Sequence, residues 1–232
     1  MSKHLYMGDD DFIDNPTTRV PVCILLDTSG SMKKSVEDDL SFKSKIEALN
    51  HGLNMFYDAV KNNDDACYAA EVSVVTFGER VEVIEDFGLV MNKKPVNLKA
   101  EGGTLLGHAM MKALELLEKR KATYKKEGID YYQPWLVIMT DGLPGDMPQV
   151  EQVLPEVRQL EMEKKLSVFT IGIGKKANMD LLNRFSKRGA LRLKGLKFEE
   201  FFEWLSKSIA GVSASNPGEA IKLESHSLWG EV

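Results

Sequence analysis

Four short apolar runs punctuate the chain: Val20 to Leu26, Val72 to Phe77, Trp135 to Met139 and Leu166 to Ile173. Most are rich in β-branched residues, and three of the four lack a clean alternation of apolar and polar positions. Strands buried on both faces read this way, because helices cover both sides of a parallel sheet. A fifth segment, Val81 to Phe87, follows the second run across Gly78-Glu79-Arg80. That turn predicts a hairpin whose second arm is an antiparallel edge strand.

The stretches between the runs carry helical periodicity. Ile46, Leu49, Leu53, Phe56 and Val60 mark one face of an amphipathic helix. Ala109, Ala113, Leu117 and Arg120 define a second, with Met110, Leu114 and Leu116 widening its stripe. Val150, Val153, Val157 and Leu160 define a third, and Leu181, Leu182 and Phe185 a short fourth. Phe198, Phe201, Phe202, Leu205, Ile209 and Val212 define the last. Strands alternating with helices imply right-handed crossovers, so the expected fold is α/β, with a doubly wound, mostly parallel sheet. We expect about six strands, one of them an antiparallel edge, and helices on both faces. Residues 1–18 and 214–232 are polar and lack a period; they read as tails around one domain over 19–213.

Composition narrows the field. The 232 residues suffice for one full hydrophobic core. Lys and Arg total 30 against 35 Asp and Glu, a net charge of -5. A mildly acidic chain is a poor fit for nucleic acid, whose phosphates need a basic surface. The opening MSKHLYMGDDDFIDNP has no apolar stretch behind its basic residues, and no run is long enough to span a bilayer. Two cysteines are too few for a disulfide framework, and Cys23 lies inside an apolar run as a small core residue. A reducing, cytoplasmic setting without membrane contact is the expectation.

Three motifs carry the candidate chemistry. Asp27-Thr28-Ser29-Gly30-Ser31 follows the first run, Gly102-Gly103-Thr104 precedes the second helix, and Thr140-Asp141-Gly142 follows Trp135 to Met139. Asp27, Ser29 and Ser31 are alternate residues beyond a strand end, so their oxygens can converge, and Gly30 permits the tight turn between the serines. In open α/β sheets ligands bind outside the carboxyl ends of strands, where the strand order reverses. If the first and fourth runs are neighbours there, Asp141 faces Asp27 across the crevice and Thr104 enters on a glycine-rich loop. The resulting shell holds two carboxylates, three hydroxyls and no His or Cys. Hard cations suit it: Mg2+, with Mn2+ as the alternative, over zinc, copper or a tight Ca2+ cage. Each motif alone has a plainer reading, as a turn or a helix cap.

Taken together the motifs resemble the metal-ion-dependent adhesion site of von Willebrand factor A domains. Asp27, Ser29, Ser31, Thr104 and Asp141 fill all five positions, and the order of elements agrees from about residue 20 to about 212. The forms LLDTSGSM, EGGT followed by Leu105-Leu106-Gly107, and QPWLVIMTDGLPGD are most similar to bacterial cytoplasmic TerY-like proteins, associated with tellurite-resistance and stress-response gene clusters. The resemblance implies a protein-interaction module in which a partner's acidic side chain completes the metal's shell. By association, partners would be kinases, phosphatases or other stress-cluster proteins. The competing class is a metal-dependent phosphohydrolase. Such enzymes commonly use D-x-D-x-[TS], and here Ser29 replaces the second Asp; a serine cannot serve as the general acid at neutral pH.

Other features carry less. His4, His51, His108 and His226 show no ligand spacing, and Gly172-Ile173-Gly174-Lys175-Lys176 lacks the spacing of a phosphate loop. Asp9-Asp10-Asp11 reads as an acidic tail able to compete for a metal site.

Overall fold

Strand β1, Val20–Asp27, is buried along its whole length, and its two faces feed two different cores. Val20, Val22, Ile24 and Leu26 point into one core, and Cys23 and Leu25 into the other. A continuous apolar run is therefore a strand with helices above and below it, not a strand with one wet face. The structure is a computed structural model and describes residues 17–35, 44–215, 223 and 225–231.

The remaining strands are β2 (Ala70–Phe77), β3 (Val81–Glu85), β4 (Trp135–Thr140), β5 (Ser167–Ile173), β6 (Ala190–Leu193) and β7 (Gly230–Glu231). They form one sheet in the order β3-β2-β1-β4-β5-β6-β7. Strands β2, β1, β4, β5 and β6 run parallel; β3 pairs antiparallel with β2, as the hairpin reading requires. The helices are α1 (Lys45–Lys61), α2 (Ala66–Ala69), α3 (Leu106–Glu127), α4 (Met147–Met162), α5 (Met179–Asn183) and α6 (Phe198–Ser213). Helices α1 and α6 cover one face and α3, α4 and α5 the other. The expected doubly wound α/β fold is the observed one.

Two differences concern the chain's C-terminal part. The sheet has seven strands, with a second antiparallel edge pair formed by β6 and β7. Residues 225–231, within the stretch 214–232 read from sequence as a tail, end in β7 at the sheet edge. Trp229 is only 1% exposed, with its ring centroid 4.9 Å from that of Phe201 and 5.2 Å from that of Trp204. The large aromatic surface of Trp229, packed on Phe201 and Trp204, favours this docking. The expected N-terminal tail, with Asp9-Asp10-Asp11, lies outside the described residues except for its end.

Helix α1 is fixed at its start by Ser44, whose side chain accepts from the Glu47 N–H, and along its length by α6. The two helices approach closely at Gly52, where an added Cβ would lie 2.9 Å from Phe198 Cβ. Phe56 and Phe202 pack ring to ring at 5.7 Å, and all six apolar residues read on the last helix are buried. This packing sets where α1 begins, and α1 begins beside the site.

Candidate metal centre

From β1 the chain passes through α1 to β2 on one side, then through β3 and α3 to β4 on the other. Strand order reverses between β1 and β4, which pair directly from Val22↔Trp135 to Leu26↔Met139. Asp27 ends β1, and Asp141 follows the end of β4. The two carboxylates thus emerge side by side at the switch point, where such folds bind ligands.

The first motif wraps tightly around Asp27. The Ser29 N–H donates to Asp27 Oδ1 at 2.7 Å, and Gly30–Lys33 form a single turn of 3-10 helix. That turn brings Ser31 Oγ to 2.9 Å from Ser29 Oγ and lets it donate to Asp141 Oδ1 at 2.5 Å. Asp27, Ser29, Ser31 and Asp141 are therefore one hydrogen-bonded chain, although Asp141 lies 110 residues from Ser31. Asp27, Ser29 and Asp141 are buried, and Ser31 is half-buried, so the chain reaches solvent at Ser31.

Thr104 stands apart from that chain. Its loop is docked on the first motif: the Gly30 N–H donates to Gly102 O at 3.0 Å, and the Glu101 N–H to Thr28 O at 2.7 Å. Gly102 adopts φ +69°, and a Cβ there would lie 2.2 Å from Glu79 Cβ, so only glycine permits this approach. Thr104 itself is half-buried and its backbone carbonyl accepts from the Gly145 N–H at 2.8 Å. Among the described residues its hydroxyl makes no hydrogen bond to the other four. The helix-cap reading of Thr104 does not apply either, since Leu105 is the residue preceding α3.

Charge is confined in this corner. Asp27 Oδ2 accepts from the Thr140 hydroxyl at 2.5 Å, so both of its oxygens are engaged. Burial pushes the Asp27 carboxyl above the usual carboxylate range; hydrogen bonds from Ser29 and Thr140 oppose this, and the nearby Asp141 adds to it. Asp141 Oδ2 accepts from Lys45 Nζ at 2.5 Å. The donor set fits a hard divalent ion: all its ligating atoms are oxygens, two come from carboxylates, and the corner already attracts a cation.

Three residues here escaped the sequence reading. Lys45, the first residue of α1, drew no reading from the sequence, and it is 8% exposed. Thr140 orients Asp27 from the adjacent strand. Asp146, just before α4, accepts instead from the Gly107 and His108 N–H groups at 3.1 and 2.9 Å, so it caps α3. Its Oδ2 also lies 2.7 Å from His108 Nδ1, which explains that histidine without a metal. An acid following Thr140-Asp141-Gly142 by a few residues was the available signal.

A doubly wound α/β domain with paired aspartates and hydroxyls at its switch point is the class of protein this fold and site define. The model of the von Willebrand factor type A domain family matches residues 22–202, and the chain belongs to that family. A search of the curated proteins gives no match to the chain. Among solved structures, the vWF domain of the type V pili tip protein Mfa5 from Porphyromonas gingivalis is similar at 11% identity and a TM-score of 0.62, covering 88% of this chain and 99% of that one. Manganese-loaded Plasmodium vivax TRAP protein is similar at 17% identity and a TM-score of 0.51, covering 78% and 71%. Proximal thread matrix protein 1 from the mussel byssus, with a zinc-occupied MIDAS motif, is similar at 18% identity and a TM-score of 0.52, covering 84% and 49%. The chain thus spans about half the length of that byssus protein. These likenesses establish the fold.

Proposed function

We propose that this domain is a metal-dependent protein-interaction module that holds Mg2+ on Asp27, Ser29, Ser31, Thr104 and Asp141. The observation that carries the reading is the hydrogen-bonded convergence of Asp27, Ser29, Ser31 and Asp141 at the switch point of a von Willebrand factor A fold. Ser29, Ser31 and Thr104 stand closest to the ion in this reading, and the two aspartates act partly through water. The engagement of both Asp27 oxygens by Ser29 and Thr140 supports that indirect role. Mn2+ is an acceptable substitute. The zinc and manganese described for two of the similar structures agree with a divalent site and leave the choice of Mg2+ to ligand hardness.

When bound, the metal supplies a positive face that favours an anionic ligand. The chain's own residues shape the rest. Exposed Lys33, Lys34 and Lys99 and the 64% exposed Leu143 belong to the segments around the motifs, with Glu47, Asn50 and Glu101 interspersed. A partner segment presenting one Asp or Glu to the metal and an apolar neighbour to Leu143 fits this rim. The metal contact would be the hot spot and the rim would set identity. A phosphohydrolase reading is weaker, because an Asp27 nucleophile would need a free oxygen and Ser29 offers no general acid. A cytoplasmic role in a bacterial tellurite-resistance or stress-response system, with a kinase or phosphatase as partner, is the narrower reading, and it rests on sequence forms alone. Among the described residues no helix is long and apolar enough to cross a membrane.

The test is co-purification with Mg2+ in one arm and EDTA in the other, followed by affinity measurement on the partner identified. Binding should fail in EDTA, return with Mg2+ or Mn2+, and fail for Asp27→Ala. Changing the partner's acidic residues to amides one at a time should find a single residue on which binding depends. Affinity that survives chelation would move the recognition surface elsewhere.

A further inference from the structure

Lys45 occupies a position that ordinary helix energetics disfavour. It is the first residue of α1, where the helix dipole repels positive charge, and it is 8% exposed. Its backbone N–H donates to Lys34 O at 3.0 Å, which ties the start of α1 to the turn carrying Ser31. Its ammonium lies 2.5 Å from Asp141 Oδ2. On another side it meets Gly174, where an added Cβ would lie 3.8 Å from Lys45 Cε and 3.9 Å from Nζ. Gly174 has φ +75° and no side chain, so the loop after β5 passes close over the ammonium. A buried ammonium needs a compensating charge. Asp141 provides it, and Asp141 is also one of the two carboxylates of the candidate metal centre.

The charges can be counted. Asp27 and Asp141 contribute two negative charges and Lys45 one positive. Without Lys45, two carboxylates would face each other in a buried corner, a costly arrangement. With Lys45 in place, a divalent ion approaching Ser31 and Asp141 meets an ammonium already paired with the same carboxylate.

We propose that Lys45 is a tethered cation that neutralises Asp141 in the metal-free protein and competes with the divalent ion for it, so that this lysine sets the metal affinity of the site. This rests on the reading of the site as a metal centre. Metal binding then exchanges one ion pair for another. The side chain is long and flexible enough for its ammonium to leave Asp141 while α1 stays packed on α6.

The experiment titrates MgCl2 and MnCl2 by calorimetry into wild type, Lys45→Met and Lys45→Gln at one fixed pH, with circular dichroism to confirm folding. Both variants should bind at least tenfold more tightly than wild type, and their metal-free melting temperatures should fall. Lys45→Arg, which keeps the positive charge, should remain near the wild-type affinity. A second readout uses wild type alone: acylation of Lys45 by an amine-reactive ester, followed by mass spectrometry. Its labelling should rise when Mg2+ is added, because the ammonium is released. Equal or weaker metal affinity in Lys45→Met and Lys45→Gln would overturn the proposal and make Lys45 a support for Asp141. Labelling of Lys45 that does not change with Mg2+ would also overturn it. Absence of metal binding in wild type and variants alike would defeat the metal reading itself, an outcome distinct from equal binding in all.

Discussion

At the amino end of the sheet, Glu71 on β2 accepts from Arg19 Nε at 3.2 Å, Arg120 Nε at 2.5 Å and the Tyr124 hydroxyl at 2.6 Å. At the carboxyl end, Asp141 accepts from Ser31 and Lys45 while Asp27 accepts from Ser29 and Thr140. Both ends bury charge, but with opposite balance. Two guanidiniums surround one carboxylate below; above, two carboxylates lie near one ammonium that pairs with Asp141. Below, Arg19 also donates to the Thr17 and Tyr68 carbonyls, and Arg120 lies 5.1 Å from the Tyr124 ring centre. That network is saturated by the protein itself. Above, the serine hydroxyls meet one another and a negative excess remains, which an added cation would relieve. A buried ionic cluster is thus no sign of function by itself; the sign here is a negative excess that an added cation would relieve.

The largest effect is expected at the closed end. Glu71→Ala leaves Arg19, which is fully buried, and Arg120 facing each other without their carboxylate. Breaking a buried pair in this way costs about 3–5 kcal/mol. The urea midpoint should fall accordingly, while the folded fraction keeps its Mg2+ affinity. A midpoint within error of wild type would mean that the network contributes nothing to stability, and the contrast between the ends would dissolve.

The carboxyl end should behave in the opposite way. Asp27→Asn removes a charge that burial disfavours and keeps an oxygen for the Ser29 N–H. The Thr140 hydroxyl can turn to accept from the new amide. Stability of the metal-free protein should change by less than about 1 kcal/mol, because the hydrogen bonds survive and a buried charge is relieved. Metal affinity should fall by about 100-fold, the upper end of what loss of a supporting group costs. Paired calorimetry and urea melts would measure both. A loss of several kcal/mol without any change in metal binding would make Asp27 a structural residue like Glu71.

How much of this contrast the sequence revealed depends on distance along the chain. The Asp27-Thr28-Ser29-Gly30-Ser31 motif is local, and its geometry follows from strand periodicity and one glycine. The adjacency of β1 and β4 was only a condition in the sequence reading, placed on the first and fourth runs, whereas the first and third runs pair. Lys45 and Asp141 lie 96 residues apart, Arg19 and Glu71 are separated by 52, and Glu71 and Arg120 by 49. No period or spacing announces such pairs, so Lys45, Arg19 and Glu71 carried no reading and Arg120 was read only as part of a helix face. Trp229 was hidden for a related reason: a single aromatic in a polar stretch has no pattern, and only the sheet edge reveals its pocket. Thr104 was legible as a motif residue, but its hydroxyl joins the others only if a bound ion gathers it.

Between the two ends lies the dry middle of β1, and alkali tests how dry it is. Cys23 is fully buried, on the face covered by α3. Burial pushes its thiol up to about 12 from 9.0; a hydrogen bond with Ser73 opposes this and Asp86 adds to it. In the unfolded chain the thiol ionises near its ordinary value, so above that pH the unfolded state has lost a proton that the folded state keeps. Stability from this group is therefore complete below about pH 9 and is lost progressively as pH rises toward 12. The slope is at most about 1.4 kcal/mol per pH unit. Tyr57 and Tyr124, also pushed up by burial and by Glu85 and Glu71 respectively, steepen the alkaline loss in every variant. Cys23→Ala isolates the thiol. It should be less stable than wild type at neutral pH because of the space it leaves, yet lose stability more slowly above pH 9 by about that slope. Urea melts of both proteins at neutral pH and at two alkaline values would decide. Parallel alkaline slopes would mean that water reaches Cys23, and that the polar end extends further down β1 than Asp27.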